Sequence, residues 1–337
     1  MMRMIPDSKY SREKGVAMIL VLWVIIVLSL LISGFAFRMQ VETQVASFSR
    51  KELKAEMLAR SGIEVARMQL ILHAKSAEGG FEALNQDWAT NETLYVDHEL
   101  GDGTFNVKVT DEEAKLPINR MTQDQLKRLM DALGVDPSDG DVIVDSILDW
   151  ISPGDLTRLN GAKSDYYERL DPPYRAKNGP LDRVQELLLI RGVTKEIYDG
   201  ASGDQDDQGQ PGLKDLCTTM SSGVVNVNTA SALVLETVLG LDDEHISLAI
   251  TRRNGPDGIP GTDDDQPFHT IDEFFAVIGV PAAQSQQMQQ WVGVGSSYFR
   301  VTSTGQVGGV KRTIVAVLQK QGDNILPAYW NEIRGGS

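Results

Sequence analysis

The residues best placed to do chemistry stand in one Gly/Pro-rich loop, Asn254-Gly-Pro-Asp-Gly-Ile-Pro-Gly-Thr-Asp-Asp-Asp265. Asp257, Asp263, Asp264 and Asp265 crowd carboxylates into a flexible stretch, where they and backbone carbonyls can converge on a hard cation such as Ca2+. The D-x-D-x-D-G spacing of an EF-hand is absent. Alternate residues of an extended loop face one side, which favours Asp263 together with Asp265. The competing reading is an acidic loop left in solvent. Asp204-Gln-Asp-Asp207, set between Gly203 and Gly209, is a second and weaker oxygen cluster.

Other reactive residue types are sparse and scattered. His73, His98, His245 and His269 form no H-E-x-x-H pair, and no G-x-S-x-G occurs. His269 follows the acidic loop, where it can assist a metal or simply sit at the surface. Cys217 is the single cysteine, so no internal disulfide can form and zinc lacks a sulfur set. A lone cysteine reads as a small buried apolar residue. The expectation is a protein that is not an enzyme.

Two stretches echo one another. Asn119 to Trp150 reads as helix, Leu133-Gly-Val-Asp136, helix; Asn226 to Arg253 reads as helix, Leu239-Gly-Leu-Asp242, helix. Each opens on an Asn-containing entry, Pro117-Ile-Asn119 or Val225-Asn-Val-Asn-Thr229, where Asn or Thr can cap the first helix. These look like helix-hairpin-helix motifs. Versions that bind DNA surround the turn with small and basic residues, whereas Leu241-Asp-Asp-Glu244 follows it here. The whole chain carries a net charge of −15 over 337 residues. Phosphate would be repelled, so the motifs are expected to pack rather than to bind nucleic acid.

The elements that carry these residues begin with an anchor. Val16 to Phe37 is 22 residues without a charge. As a helix it spans roughly 33 Å, enough to cross a bilayer core while satisfying its own backbone. Arg12 and Lys14 precede it, so the positive-inside rule puts the N-terminus in the cytoplasm and the rest of the chain outside. A cleaved secretory signal is the alternative, but the run exceeds the usual h-region and no A-x-A site follows. Val41, Val45, Phe48, Leu53, Met57, Ile63, Ala66 and Leu70 continue a helical spacing, and no proline interrupts Val16 to Lys75. One long helix is expected, half in the membrane and half amphipathic beyond it.

Leu94 to Leu100 and Thr104 to Thr110 alternate around Gly101-Asp-Gly103 as a hairpin. Tyr298 to Gln306 and Val310 to Gln319 do so again around Gly308-Gly309. The four runs should form an antiparallel sheet on the long helix. Between them, apolar spacing predicts helices near Leu126–Leu133, Val142–Leu148, Leu181–Ile190, Ala230–Leu239, Ile246–Arg253, Ile271–Ile278 and Ala282–Val292. A block this long between two hairpins reads as an inserted helical domain, not a loop.

Several phrases together resemble one family. Ser11-Arg-Glu-Lys-Gly15 ahead of the apolar run looks like a prepilin leader. Asp111-Glu-Glu-Ala-Lys-Leu-Pro-Ile-Asn119, Ile147-Leu-Asp-Trp150 and Arg158-Leu-Asn-Gly161 with Asp165-Tyr-Tyr167 follow in order. Then come Pro172-Pro-Tyr174, Glu186-Leu-Leu-Leu-Ile-Arg-Gly192 and Val225-Asn-Val-Asn-Thr-Ala230. In this order and spacing they are similar to the K-type minor pseudopilins of type II secretion (the GspK family), from the leader to Trp330.

The resemblance implies an α+β pilin fold with a large all-α insertion. Its parts would be leader 1–15, membrane helix 16–37, helix extension and first hairpin 38–110, helical insert 111–295, and second hairpin with tail 296–337. It implies that a prepilin peptidase cuts between Gly15 and Val16 and that Val16 is N-methylated. It also implies calcium binding, a place in the inner membrane with the main domain in the periplasm, and a role at the pseudopilus tip. The implied partners are the I- and J-type minor subunits, the major pseudopilin and the inner-membrane secretion machinery. Leu20, the fifth mature residue, replaces the glutamate of major pilins. An unpaired carboxylate is costly in lipid, so a subunit with no neighbour above it gains from the change. A minor pilin of a type IV pilus, or a membrane-tethered DNA-binding protein, is the alternative.

Overall fold

The computed structural model describes residues 10–201 and 209–333. Helix α1 runs unbroken over Tyr10–Ala74. Its first half, Val16 to Phe37, is exposed throughout among the described residues, and its most apolar window has a mean hydropathy of 3.1. From Ala55 onward one face is buried, with Ala55, Ala59, Ile63, Ala66 and Leu70 repeating at three or four residues.

That face lies on a five-stranded antiparallel sheet in the order β1 (His98–Leu100), β2 (Gly103–Asp111), β3 (Tyr298–Val307), β4 (Val310–Gln321) and β5 (Asn324–Ile333). Phe105, Val107 and Val109 of β2, Phe299 and Val301 of β3, and Ile314, Ala316 and Leu318 of β4 supply the opposing surface. Each alternates with outward residues, as strands with one buried face must. The two layers approach closely because side chains are missing where they meet. A Cβ on Gly305 would overlap the carbonyl oxygen of Ala55, and one on Gly62 would overlap the Ser303 hydroxyl.

Strands β2 and β3 are hydrogen-bonded neighbours, with Asp111 opposite Phe299 and Thr104 opposite Gln306. Residues 112–297 leave the sheet between them and return. They form a second core of their own, centred on α2 (Gln123–Ala132), α3 (Pro137–Ile151), α4 (Ala232–Leu239) and α5 (Asp243–Arg253), with α6 (Ile271–Val277) and α7 (Ala282–Met288) behind. The architecture is thus an α+β pilin fold with a helical insertion. The two helical hairpins turn at Gly134 and Gly240, both left-handed, and they face each other. Arg128 of α2 donates to the Thr237 carbonyl at 2.9 Å, and its guanidinium lies over Gly240. The second hairpin turn is therefore covered by α2.

Local expectations fail in instructive places. The first hairpin is shorter than predicted, because Asn91 caps a helical turn over Glu92–Tyr95 and the strand begins only at His98. The entry asparagines do not cap helices. Thr122 forms a capping box with Gln125 on α2, and Ser231 caps α4. Asn119 instead exchanges two hydrogen bonds with the backbone of Leu181, at 2.7 and 2.9 Å. Leu181–Ile190 is not an α-helix but a 3-10 segment, Val184–Leu189, whose entry is tied by the Glu186 carboxylate to the amides of Asp182 and Arg183. Residues after Asn324, expected as a tail, form the fifth strand.

The close approach of α1 to the sheet yields a direct test. Gly305→Ala should lower the stability of the full-length protein in detergent by about 1–3 kcal/mol, because neither backbone can recede without breaking its own ladder. Thermal melting followed by circular dichroism measures it, and an unchanged midpoint would refute the close-packing argument.

Candidate functional site

Three regions carry the functional residues: the start of α1, the acidic loop after α5, and the junction where the insert leaves the sheet.

Gly15 and Val16 lie within the continuous helix α1, while residues 1–9 of the leader fall outside the described residues. Val16, Leu20 and Trp23 are exposed on one face and Met18, Val21 and Ile25 on others, as in an element solvated by lipid or by neighbouring helices. No charged side chain occurs between Lys14 and Arg38.

The acidic loop is closed at its base by the Gln266 amide, which donates to the Arg253 carbonyl at 2.8 Å. Arg253 is buried and donates to the carbonyls of Val227 and Ala230 at 2.7 and 2.6 Å; desolvation draws its pKa down to about 10. Of the four aspartates, three accept from donors of the loop itself, and two of them have no other role. Asp257 accepts from the Ile259 amide at 2.7 Å. Asp264 accepts from the Thr262 hydroxyl at 2.7 Å and the Asp257 amide at 3.1 Å, and these donors hold its carboxyl below the usual range. Asp265 uses Oδ2 to accept from the Gly261 amide at 2.7 Å, leaving a buried Oδ1 without a partner. Asp263 is exposed.

Asp263 and Asp265 border a groove of about 990 Å3 whose other wall is the end of α1 and the segment Glu78–Asp87. Asn85 reaches from that wall to the Asp265 carbonyl at 3.5 Å, and its own Oδ1 is also buried and unpaired. The expected cluster of four carboxylates is therefore not gathered, because turn formation consumes Asp257 and Asp264. Among the described residues no three His, Cys, Asp or Glu side chains converge as a metal shell. His269 packs edge-on against Phe81, ring centroids 4.5 Å apart. The weaker cluster Asp204–Asp207 lies outside the described residues.

The junction was missed in the sequence. Glu82, Asp111, Glu112 and Glu113 are all buried there, between the ends of β2 and β3 and the start of α4. Glu112 is bound by Arg300 of β3 and by the Thr218 hydroxyl, with Lys115 at 3.5 Å. Glu82 is bound by Lys320 of β4 and accepts from the Ser296 amide at 2.5 Å. Glu113 accepts from the amides of Ser222 and Ser297, at 2.8 and 2.6 Å. Asn226 spans the gap, donating to the Glu82 carbonyl at 3.0 Å and to Asp111 at 3.2 Å. The available signal was the run Asp111-Glu-Glu113, which composition alone marks as solvated.

A long helix apolar in its first half, an antiparallel sheet packed on its distal half and a helical insert between adjacent strands define a pilin-type fold. Residues 103–202 match the family model described as Type II secretion system (T2SS), protein K. The chain is 22% identical over 325 residues to type II secretion system protein K of Klebsiella pneumoniae, covering 92% of this chain and 94% of that protein. Its counterpart in Pseudomonas aeruginosa is 24% identical over 328 residues, with 92% and 90% covered. The fold superposes on the crystal structure of the GspK-GspI-GspJ complex from the enterotoxigenic Escherichia coli Type 2 Secretion System. That match has a TM-score of 0.68 at 19% identity, covering 87% of this chain and 100% of that one. Over nearly its whole length the chain is thus similar to type II secretion system protein K.

The loop geometry makes a prediction of its own. Asp264→Ala removes the acceptor that ties Asp257 and Thr262, so protease cleavage within residues 254–265 should quicken by roughly tenfold while global unfolding stays put. Cleavage at the wild-type rate would show that Asp264 does not hold the loop.

Proposed function

We propose that this chain is a minor pseudopilin at the tip of the type II secretion pseudopilus. There it helps to initiate or cap assembly for the export of folded proteins across the outer membrane. The observation that carries the reading is the insert between adjacent strands β2 and β3. A bulky second core is awkward in the shaft of a filament packed helix against helix, and is accommodated at its end. Leu20 supports the same placement, since a terminal subunit has no amine above it for a buried carboxylate to neutralise.

The peptidase cut falls between Gly15 and Val16, and Val16 then carries the N-methyl group. Arg12 and Lys14 keep the N-terminus in the cytoplasm and α1 crosses the inner membrane, so the sheet and insert stand in the periplasm. The GspK relative was crystallised with GspI and GspJ. By extension, this chain engages I- and J-type subunits, then the major pseudopilin and the inner-membrane machinery. It works by assembly, without catalysis.

In a secreting strain, Gly15→Val should leave the precursor uncut, and the extracellular reporter should fall to the level of a deletion strain. Normal processing would remove the leader assignment, and undiminished secretion in the deletion strain would remove the function.

The calcium reading narrows to Asp263 and Asp265, with the unpaired Asn85 oxygen from the opposite wall as a neutral ligand. Calcium there would bridge the insert to the segment that follows α1. Adding Ca2+ at 100 times its Kd should stabilise the full-length protein by about 2.7 kcal/mol. Asp265→Asn should abolish the rise in melting temperature, and a wild-type protein blind to millimolar Ca2+ would end the reading.

A further inference from the structure

The junction is a charge-imbalanced interior. Its carboxylates are Glu82, Asp111, Glu112 and Glu113, and its cations are Lys115, Arg300 and Lys320. His73, 3.7 Å from Glu82, does not restore the balance at neutral pH, because burial lowers its pKa. Four potential negative charges thus face three positive ones. The two cation-bound acids are Glu112 and Glu82, which leaves Asp111 and Glu113 held by neutral donors alone.

Asp111 is the more central of these. It closes β2, and its carboxylate joins three separate segments. It accepts from the Thr229 hydroxyl at 2.5 Å, the Ser296 hydroxyl at 2.6 Å, the Asn226 amide at 3.2 Å and the Glu113 backbone at 2.8 Å. Thr229 and Asn226 belong to the insert, while Ser296 leads into β3. Asp111 is therefore the point at which the insert is tied to both strands that bound it.

We propose that Asp111 is a proton-sensitive latch between the pilin sheet and the helical insert, closing the junction when it takes a proton from solvent and easing it when ionised. Two of its four donors are hydroxyls, and either can rotate to accept from the protonated carboxyl, so the neutral state also finds a hydrogen-bond partner. Ionisation instead buries a charge beside Glu113 with no cation to meet it. Desolvation raises Asp111 from 3.8 to about 7, against the pull of Ser296, Thr229 and the Glu113 amide. Glu113 is raised as well, again by burial.

The direction of the effect follows from linkage. A carboxyl whose pKa is raised by closure favours the closed junction at low pH and loses that contribution as pH climbs through about 7. Glu112 is held below the usual range by Lys115 and Arg300, so its contribution is lost only at more acidic pH. Glu112 therefore plays no part near neutrality, where Asp111 titrates.

The test uses the full-length protein in detergent, with amide hydrogen exchange corrected for intrinsic rates at pH 6 and pH 8. Peptides covering 222–230 and 296–299 should lose protection about tenfold between these values, while peptides from α3 hold theirs. Asp111→Asn should flatten the response. Should that variant fail to fold, Thr229→Val removes one donor to the ionised form and should move the midpoint to higher pH. Equal wild-type protection at both pH values, an equal loss throughout α3, or an unmoved midpoint in Thr229→Val would each overturn the latch.

Discussion

The helix-to-sheet contact at Ala55, Ala59 and Gly62 against Gly103 and Gly305 sets the geometry of everything else. Helix α1 has to meet two solvents. Its first half satisfies its own hydrogen bonds and presents Leu, Ile and Val all round, which suits lipid or other helices. Its second half needs a partner on one side only, and small residues let the sheet backbone come close enough to bury Phe105, Phe299 and Val301 against it. With that contact made, β2 and β3 are fixed in direction, and so is the exit through which the insert leaves.

The insert does not lean on the sheet through a greasy surface. It is joined through buried carboxylates, amides and hydroxyls. A junction of this kind is a poor source of stability, since desolvating charge offsets most of the attraction. Its value is positional. Apolar surfaces slide, whereas Asn226 reaches the Glu82 carbonyl, Asp111 and the Ser296 hydroxyl only in one placement. Asn228, two residues on, exchanges hydrogen bonds of 2.9 and 2.8 Å with the backbone of Phe268, directly after the acidic loop. One short segment, Val225 to Ala230, thereby sets both the insert against the sheet and the loop against the insert.

How much of this was legible depended on whether a signal was local. The anchor, the two main hairpins and most insert helices rest on periodicity within a dozen residues, and they were read well. The fifth strand was not, because Pro327 and a largely exposed edge blur its alternation. A capping role for the entry asparagines follows from a local rule. Their real partners, Leu181, Glu82 and Phe268, are far away in sequence. The acidic loop was recognised as a feature, yet its composition did not say which carboxylates its own turns would use. Asp111-Glu-Glu113 was hardest, since a run of acids at a strand end is ordinarily wet.

That last case bears on how an acidic protein can hold a second core at the end of a sheet. All of the chain's excess negative charge lies outside the uncharged anchor, where it keeps the body away from anionic lipid. Four of those acids are withdrawn at the one place where chain continuity forces two strand ends, a return segment and a helix start together. These segments bring many unpaired amides: those of Glu113, Ser222, Ser296 and Ser297 all end on these carboxylates. An apolar filling would leave each such N–H without an acceptor, at roughly 1–3 kcal/mol apiece. The acids are thus required by the backbone they serve, and their buried charge follows from inserting a domain into a continuous sheet.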